Sequence, residues 1–215
     1  MHEKTNSFTS AEPWLPTRPT LPKLIAAAKQ CQGCDLYLPA TQTVFGEGPA
    51  TARIIMVGEQ PGDQEDVAGK PFVGPAGRIL DKALVDAGVD RSTVYVTNAV
   101  KHFKFVERGK RRIHAKPNSA EMAACRPWLR AEIEVIQPEL VVCLGATAAQ
   151  SIMGRDFRVT QSRGQFFPHD WARLVMATIH PSAVLRAIEA EQRHQQYAML
   201  VEDLSQIPKK IKLGA

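Results

Sequence analysis

The sequence predicts a three-layer α/β/α domain on a central, mainly parallel, four-stranded sheet, and two observations carry that prediction. Short apolar runs recur at 53–57, 94–97, 140–144 and 173–179. Runs of this kind mark strands buried on both faces. Between them lie longer segments with helical spacing of apolar residues, and this alternation suits a parallel sheet covered by helices on each side. The 215 residues are 44% hydrophobic and 23% charged. Those are globular proportions, which exclude whole-chain disorder and collagen-like repeats, and a chain this long buries a core without disulfides.

Residues 1–20 hold Pro13, Pro16 and Pro19 with little apolar periodicity, and are expected to form an extended or mobile arm. A single domain follows at 21–215, opening with a helix after Pro22 that stops at the Cys31 turn. The first strand, 53–57, stops at Gly58. Gly74 to Gly77 open a helix with Ile79, Leu80, Leu84 and Val85 on one face. After the strand at 94–97, a long helix at 118–136 takes Asn118 or Ser119 as its cap, with Glu121 in its first turn. Helices follow the remaining two strands at 146–153 and 182–204. No internal repeat is visible.

The most apolar uncharged stretch, 140–149, is half of the ~20 residues that a membrane-spanning helix needs. The opening MHEKTNSFTS lacks the apolar core of a signal peptide. The expectation is a cytoplasmic protein with no membrane partner. In such a compartment Cys31, Cys34, Cys125 and Cys143 do not form a disulfide frame. Cys31 and Cys34 form CQGC, a spacing that by itself also suits zinc.

The formal net charge is +5, but it is unevenly spread. Between Lys101 and Lys116 stand seven Lys or Arg (101, 104, 108, 110, 111, 112 and 116) against one acid, Glu107, a local charge of +6. Such a concentration is the footprint of a polyanion partner or a solvated basic loop.

Ligands of open parallel sheets bind at the carboxyl ends of the strands. Gly58-Glu59-Gln60-Pro61-Gly62-Asp63 follows the first strand, Asn98 the second, and His180-Pro181-Ser182 the fourth. Taken singly, these are a tight turn, a backbone cap and a rim histidine. Together, three polar groups at convergent strand ends point to a site.

Four segments then resemble, in order, the signatures of the iron–sulfur uracil-DNA glycosylases of family 4: GEQPG at 58–62, KPFVGPAG at 70–77, TNAVK at 97–101 and HPSAVLR at 180–186. The resemblance runs from about 31 to 204. It is closest to the UdgX group, through Gln60 and the inserted RGKRRIHAKP at 108–117, which carries that group's KRRIH at 110–114.

The resemblance implies a uracil-DNA glycosylase-like fold and uracil-containing DNA as partner. The reaction cleaves the bond from uracil to the anomeric carbon, and a single strand spares the cost of extracting the base from a duplex stack. Phe72 and Asn98 would hold uracil, the first by its ring face and the second by its donor and acceptor. His180 would donate to the charge growing on departing uracil, helped by backbone amides at Gly62 and Asp63. Ser182 and Arg186, with Lys110, Arg111 and Arg112, would hold DNA phosphates.

In the UdgX group the residue matching His114 attacks the sugar and stays attached, so the protein is consumed. Neighbouring cations would favour the neutral, nucleophilic imidazole. Glu59, acting with Gln60, would orient His114, take its proton or stabilise an oxocarbenium-like sugar. Only Val106, Glu107, Arg108 and Gly109 separate Phe105 from KRRIH, a shorter loop than the group's. The covalent step requires that this loop still place His114 over the sugar. The alternatives are ordinary turnover with water as nucleophile, and a non-catalytic iron–sulfur protein that binds nucleic acid. A monomer suffices for the chemistry.

The family also implies a four-iron, four-sulfur cluster. Cys31 and Cys34 match its first ligand pair and Cys125 its last. The third cysteine's segment reads Val100-Lys101-His102 here, which makes His102 the expected fourth ligand, with Cys143 as competitor. Histidine ligation of such clusters has precedent, whereas Cys143 lies within an apolar strand as a small hydrophobe. The cluster's expected role is to staple the loop bearing 98–116 to the N-terminal segment.

Overall fold

The structure, a computed structural model, describes residues 10–211. In chain order its elements are α1 (Leu21–Ala28), β1 (Ile54–Gly58), α2 (Asp63–Ala68), α3 (Pro75–Asp86), β2 (Val94–Asn98), β3 (Phe105–Arg108), β4 (Arg111–His114), α4 (Ser119–Ile136), β5 (Leu140–Leu144), α5 (Ala146–Met153), α6 (Val159–Ser162), β6 (Phe166–His169), β7 (Ala172–Thr178), α7 (Ser182–Arg186), α8 (Ala190–Leu204) and α9 (Ile207–Ile211).

The central sheet has the order β2-β1-β5-β7-β6. The first four strands are parallel and are the four that the apolar runs predict. The fifth, β6, is an antiparallel edge strand on β7. Its Pro168 has no N–H to give a ladder, which confines such a strand to an edge. Strand alternation sends Ile55, Val57, Val141 and Cys143 into one core, with residues of α1, α4 and α5. It sends Ile54, Met56, Leu140 and Val142 into the other, with α3 and α8. This is the period-two pattern of a sheet buried on both faces.

The cap of α4 is Asn118. Its Oδ1 accepts from the Glu121 N–H at 2.8 Å, while Glu121 Oε2 accepts from the Asn118 N–H at 2.7 Å, a reciprocal capping box. In α3 the buried face is Leu80, Ala83 and Leu84. Val85 is 74% exposed instead, because a helical turn of 3.6 residues carries it past the face that Leu84 shares with Leu80. The single helix expected over 182–204 is two, α7 and α8. They part at residues 187–189, where Ile188 is exposed.

The arm expected at 1–20 lies outside the described residues up to 9. From residue 10 the chain is docked on the domain: Ala11 is buried and its N–H donates to the Ala124 carbonyl at 2.8 Å, and Trp14 and Leu15 pack on the same core. Among the described residues, no helix is long and apolar enough to cross a membrane.

Candidate active site

The carboxyl ends of β1, β2, β5 and β7 open into a cavity of about 910 Å³, lined by Glu59, Phe72, Asn98, His114, Thr147 and His180 among others. Gly58 ends β1 where no side chain fits, because a Cβ there would meet Asn98 Oδ1 and the Phe72 ring. The glycine therefore lets Asn98 and Phe72, the two residues expected to hold uracil, close over the strand end.

Asn98 is buried, and its Nδ2 is the buried side-chain polar atom left without a hydrogen-bond partner among the described residues. Such an orphan costs about 1–3 kcal/mol, which an acceptor entering the cavity would recover. Phe72 has φ 57°, a left-handed conformation uncommon for an aromatic residue. Its carbonyl lies where a Cβ on Gly77 would fall, so Gly77 permits the turn. Glu65 holds the turn from the other side, accepting from the backbone N–H groups of Gly62, Phe72 and Gly74. Burial raises the pKa of this carboxyl, against those hydrogen bonds.

The Phe72 and His180 rings stack with centroids 6.4 Å apart. The Ser182 N–H donates to His180 Nδ1 at 3.1 Å, and the Ser182 hydroxyl bonds the same nitrogen at 2.8 Å. Nδ1 is therefore an acceptor, and the proton of the neutral ring is on Nε2. Burial pushes the His180 pKa down to about 4, with the Arg186 and His114 charges adding to the shift. Arg186 Nη1 donates to Ser182 Oγ at 2.6 Å. Ser182 and Arg186, expected on DNA phosphates, thus first act as a brace for His180.

His114 ends β4 of a two-stranded hairpin whose pairs are Phe105↔His114, Val106↔Ile113, Glu107↔Arg112 and Arg108↔Arg111. Alternation puts His114 on the same face as Arg112. The short loop does bring His114 to the cavity: its Nε2 is 3.4 Å from Glu59 Oε1. The other Glu59 oxygen accepts from the Thr147 hydroxyl. Gln60 fastens the base of the hairpin. Its Nε2 donates to the Lys104 and Ala115 carbonyls, each at 3.1 Å, and its Oε1 accepts from the Lys104 N–H at 3.2 Å. Gln60, expected to share in the chemistry, has its amide committed to holding the segment that carries His114.

Three of the seven cations in the basic segment turn inward. Lys101 is buried and paired with buried Glu132 at 2.5 Å. Lys104 pairs with Glu121 at 2.8 Å. Arg112, expected on DNA, pairs with Asp63 and Asp66, each at 2.6 Å, and lies over the Phe103 and Phe105 rings. Arg108, Lys110, Arg111 and Lys116 remain exposed. Asp63 is thus an anchor for Arg112, and the Gly62 N–H is taken by Glu65 rather than left open to the cavity.

Cys31, Cys34 and Cys125 are buried and share electrostatic coupling. Burial pushes the Cys34 thiol up to about 11 and Cys125 to about 12, against the Leu36 backbone at Cys34 and the Lys101 charge at Cys125. Their sulfurs face N–H donors: Trp128 Nε1 to Cys31 at 3.2 Å, and the Lys101 backbone to Cys125 at 3.3 Å. Donors of this kind favour thiolate ligands. Cys143 stands apart, raised to about 12 by burial alone. His102 is buried, which pushes its pKa down to about 4, and its Nε2 bonds Thr43 Oγ1 at 2.9 Å. Among the described residues no three His, Cys, Asp or Glu converge to hold a single ion. The three thiols fit the sulfur side of a cluster; the imidazole expected as fourth ligand has its Nε2 on Thr43, so Nδ1 is the ring atom that would complete the set.

Glu65, Thr147 and Lys116 line the cavity without having been expected there. The strand-end rule, applied also to β5, points to Thr147, because Gly145-Ala146-Thr147 follows that strand directly. Glu65 and Lys116 gave no separate signal, since their roles depend on which loops meet.

The sequence profile of the Uracil DNA glycosylase superfamily matches residues 45–205. The chain is 38% identical over 200 residues to a type-4 uracil-DNA glycosylase of Thermotoga maritima, covering 91% of this chain and 97% of that protein. It is 35% identical over 173 residues to a type-4 uracil-DNA glycosylase of Archaeoglobus fulgidus, covering 77% and 83%. A type-5 uracil-DNA glycosylase of Pyrobaculum aerophilum is 32% identical over 121 residues, half of each protein.

Proposed function

The chain belongs to the uracil DNA glycosylase superfamily, and from that premise we propose that it excises uracil from DNA and, as in the UdgX group, becomes covalently joined to the abasic sugar through His114. The observation that carries this reading is the convergence of the unpaired Asn98 Nδ2, the braced His180 ring and His114 Nε2 on one cavity.

Asn98 Nδ2 donates to uracil O4 and its Oδ1 accepts from N3–H, while the Phe72 ring supports the base. The glycosidic electron pair leaves with uracil. His180 Nε2–H donates to the oxygen on which that charge develops, a stabilisation commonly worth about 2.7–4 kcal/mol. The Glu59 carboxylate offsets the positive charge on the sugar. The His114 Nε2 lone pair then bonds the anomeric carbon, and the resulting imidazolium loses its Nδ1 proton to solvent. Histidine occupies the position that water takes in a turning-over enzyme, so no second displacement follows.

Exposed Lys110 and Arg111, with Arg108, Lys116 and Arg186, neutralise the phosphates that flank the target nucleotide. Cys31, Cys34, Cys125 and His102 would hold a four-iron, four-sulfur cluster. Through such a cluster these side chains would staple the segment after β2 to the N-terminal segment. The Lys101 backbone N–H on Cys125 and the Lys101 ammonium on the Asn98 carbonyl, at 2.8 Å, link that staple to the uracil reader.

Uracil release from matched single-stranded oligonucleotides holding uracil, cytosine or thymine tests the reading. Release is expected from the uracil strand alone, with Asn98→Ala slower by about 10²-fold or more. No release from any strand would contradict it.

A further inference from the structure

We infer that Thr147 is a positioning residue for this reaction, fixing the Glu59 carboxylate so that Oε1 stays beside Nε2 of His114. The inference rests on the roles proposed for Glu59 and His114.

Glu59 follows the end of β1 on a side chain with three rotatable bonds, and a free carboxylate there would sample several rotamers. In the structure its two oxygens have different tasks. One accepts from the Thr147 hydroxyl, and the other lies 3.4 Å from His114 Nε2. Thr147 is suited to hold the carboxylate because it is itself held: it is buried in the first turn of α5, directly after β5. Its branched Cβ restricts χ1 further.

The hydroxyl is not serving its own helix. A threonine near a helix start ordinarily caps a backbone N–H, but the cap of α5 is Gly145 and no side chain bonds there. The Thr147 hydroxyl instead reaches across to Glu59, just past β1. The carboxylate so fixed also sits by the start of α5, where backbone N–H groups favour negative charge. Charge placed in advance at the anomeric carbon needs no reorganisation when the sugar cation forms. A carboxylate free to swing would lose that advantage.

The test is single-turnover uracil release and adduct formation, with protein in excess over a single-uracil oligonucleotide. Thr147→Val keeps the shape and removes the hydroxyl. Its saturated rate is expected to fall about tenfold, with the half-saturating concentration unchanged because Thr147 touches no phosphate. Thr147→Ser is expected to restore the rate to within about twofold, and Thr147→Ala replaces the valine variant if that fails to fold. In a Glu59→Ala background, Thr147→Val should change nothing further. The inference is overturned by an active wild type that Thr147→Val matches, by serine failing to rescue, or by an equal slowing without Glu59. A wild type that neither releases uracil nor forms an adduct overturns the proposed function, and this inference with it.

Discussion

His114 Nε2 lies 3.4 Å from Glu59 Oε1, so the base of a basic hairpin meets the end of the first strand inside one cavity. The hairpin reaches that point because Gln60 clamps its base, Lys104 pairs with the α4 cap and Arg112 pairs with α2. The reach of His114 is therefore a property of several anchors, and each can be removed separately.

Gln60→Ala removes three hydrogen bonds to the backbone at Lys104 and Ala115. Adduct formation should slow by about tenfold or more through misplacement of His114. Amide exchange at residues 104 and 115 should quicken, and DNA affinity should change little. A variant with wild-type adduct rate would show that the clamp is dispensable.

The exposed and paired cations should separate in their effects. Lys110→Ala and Arg111→Ala should each reduce the slope of log affinity against log salt by about one. Arg112→Ala should instead lower stability by roughly 3 kcal/mol, because it leaves the fully buried Asp66 without its cation. Urea unfolding and salt-titrated DNA binding, run on the same three variants, distinguish the two classes.

His180 gives a pH signature. Its pKa is depressed to about 4 in the folded protein, against about 6.5 in an unfolded chain. As pH falls below 6.5, the unfolded chain takes up a proton that the folded chain refuses until about pH 4. The resulting stability is fully present above pH 6.5 and declines through that window. Between pH 6 and 4.5, His180→Gln should lose stability less steeply than wild type, by roughly 1 kcal/mol per pH unit. Parallel slopes in urea unfolding would place the titration elsewhere.

The metal assignment separates Cys143 from the other thiols. Cys143→Ala should leave iron content and visible absorbance unchanged, since burial alone shapes that thiol. Cys125→Ala should lose both, and His102→Ala should reduce both. Loss of iron in Cys143→Ala would move the fourth ligand into β5.

The parallel strands were legible because burial on both faces demands continuous apolar runs, as in Leu140–Leu144. The edge strand β6 was not, since Pro168 and half-buried residues give no such run. The β3–β4 hairpin was hidden by the same charges that made its segment conspicuous. Charge counting read Lys101, Lys104 and Arg112 as surface cations, but pairing with Glu132, Glu121 and Asp66 is fixed by tertiary contact. Strand ends led directly to Glu59, Asn98 and His180. Gln60 was found as a residue, but its hydrogen bonds to the hairpin base gave no signal, because those partners lie far along the chain. Thr147 needed the same rule applied to one more strand.

The most direct measurement mixes the purified protein with a labelled single-stranded oligonucleotide carrying one uracil, then denatures it in hot detergent and runs a gel. A thymine strand and His114→Ala are the controls. His114 is half exposed, so its replacement should shift stability by no more than about 0.5 kcal/mol. The account predicts a slow-migrating band that needs both uracil and His114. Free oligonucleotide bearing an abasic site, with no slow band, would contradict covalent capture and leave a glycosylase that uses water.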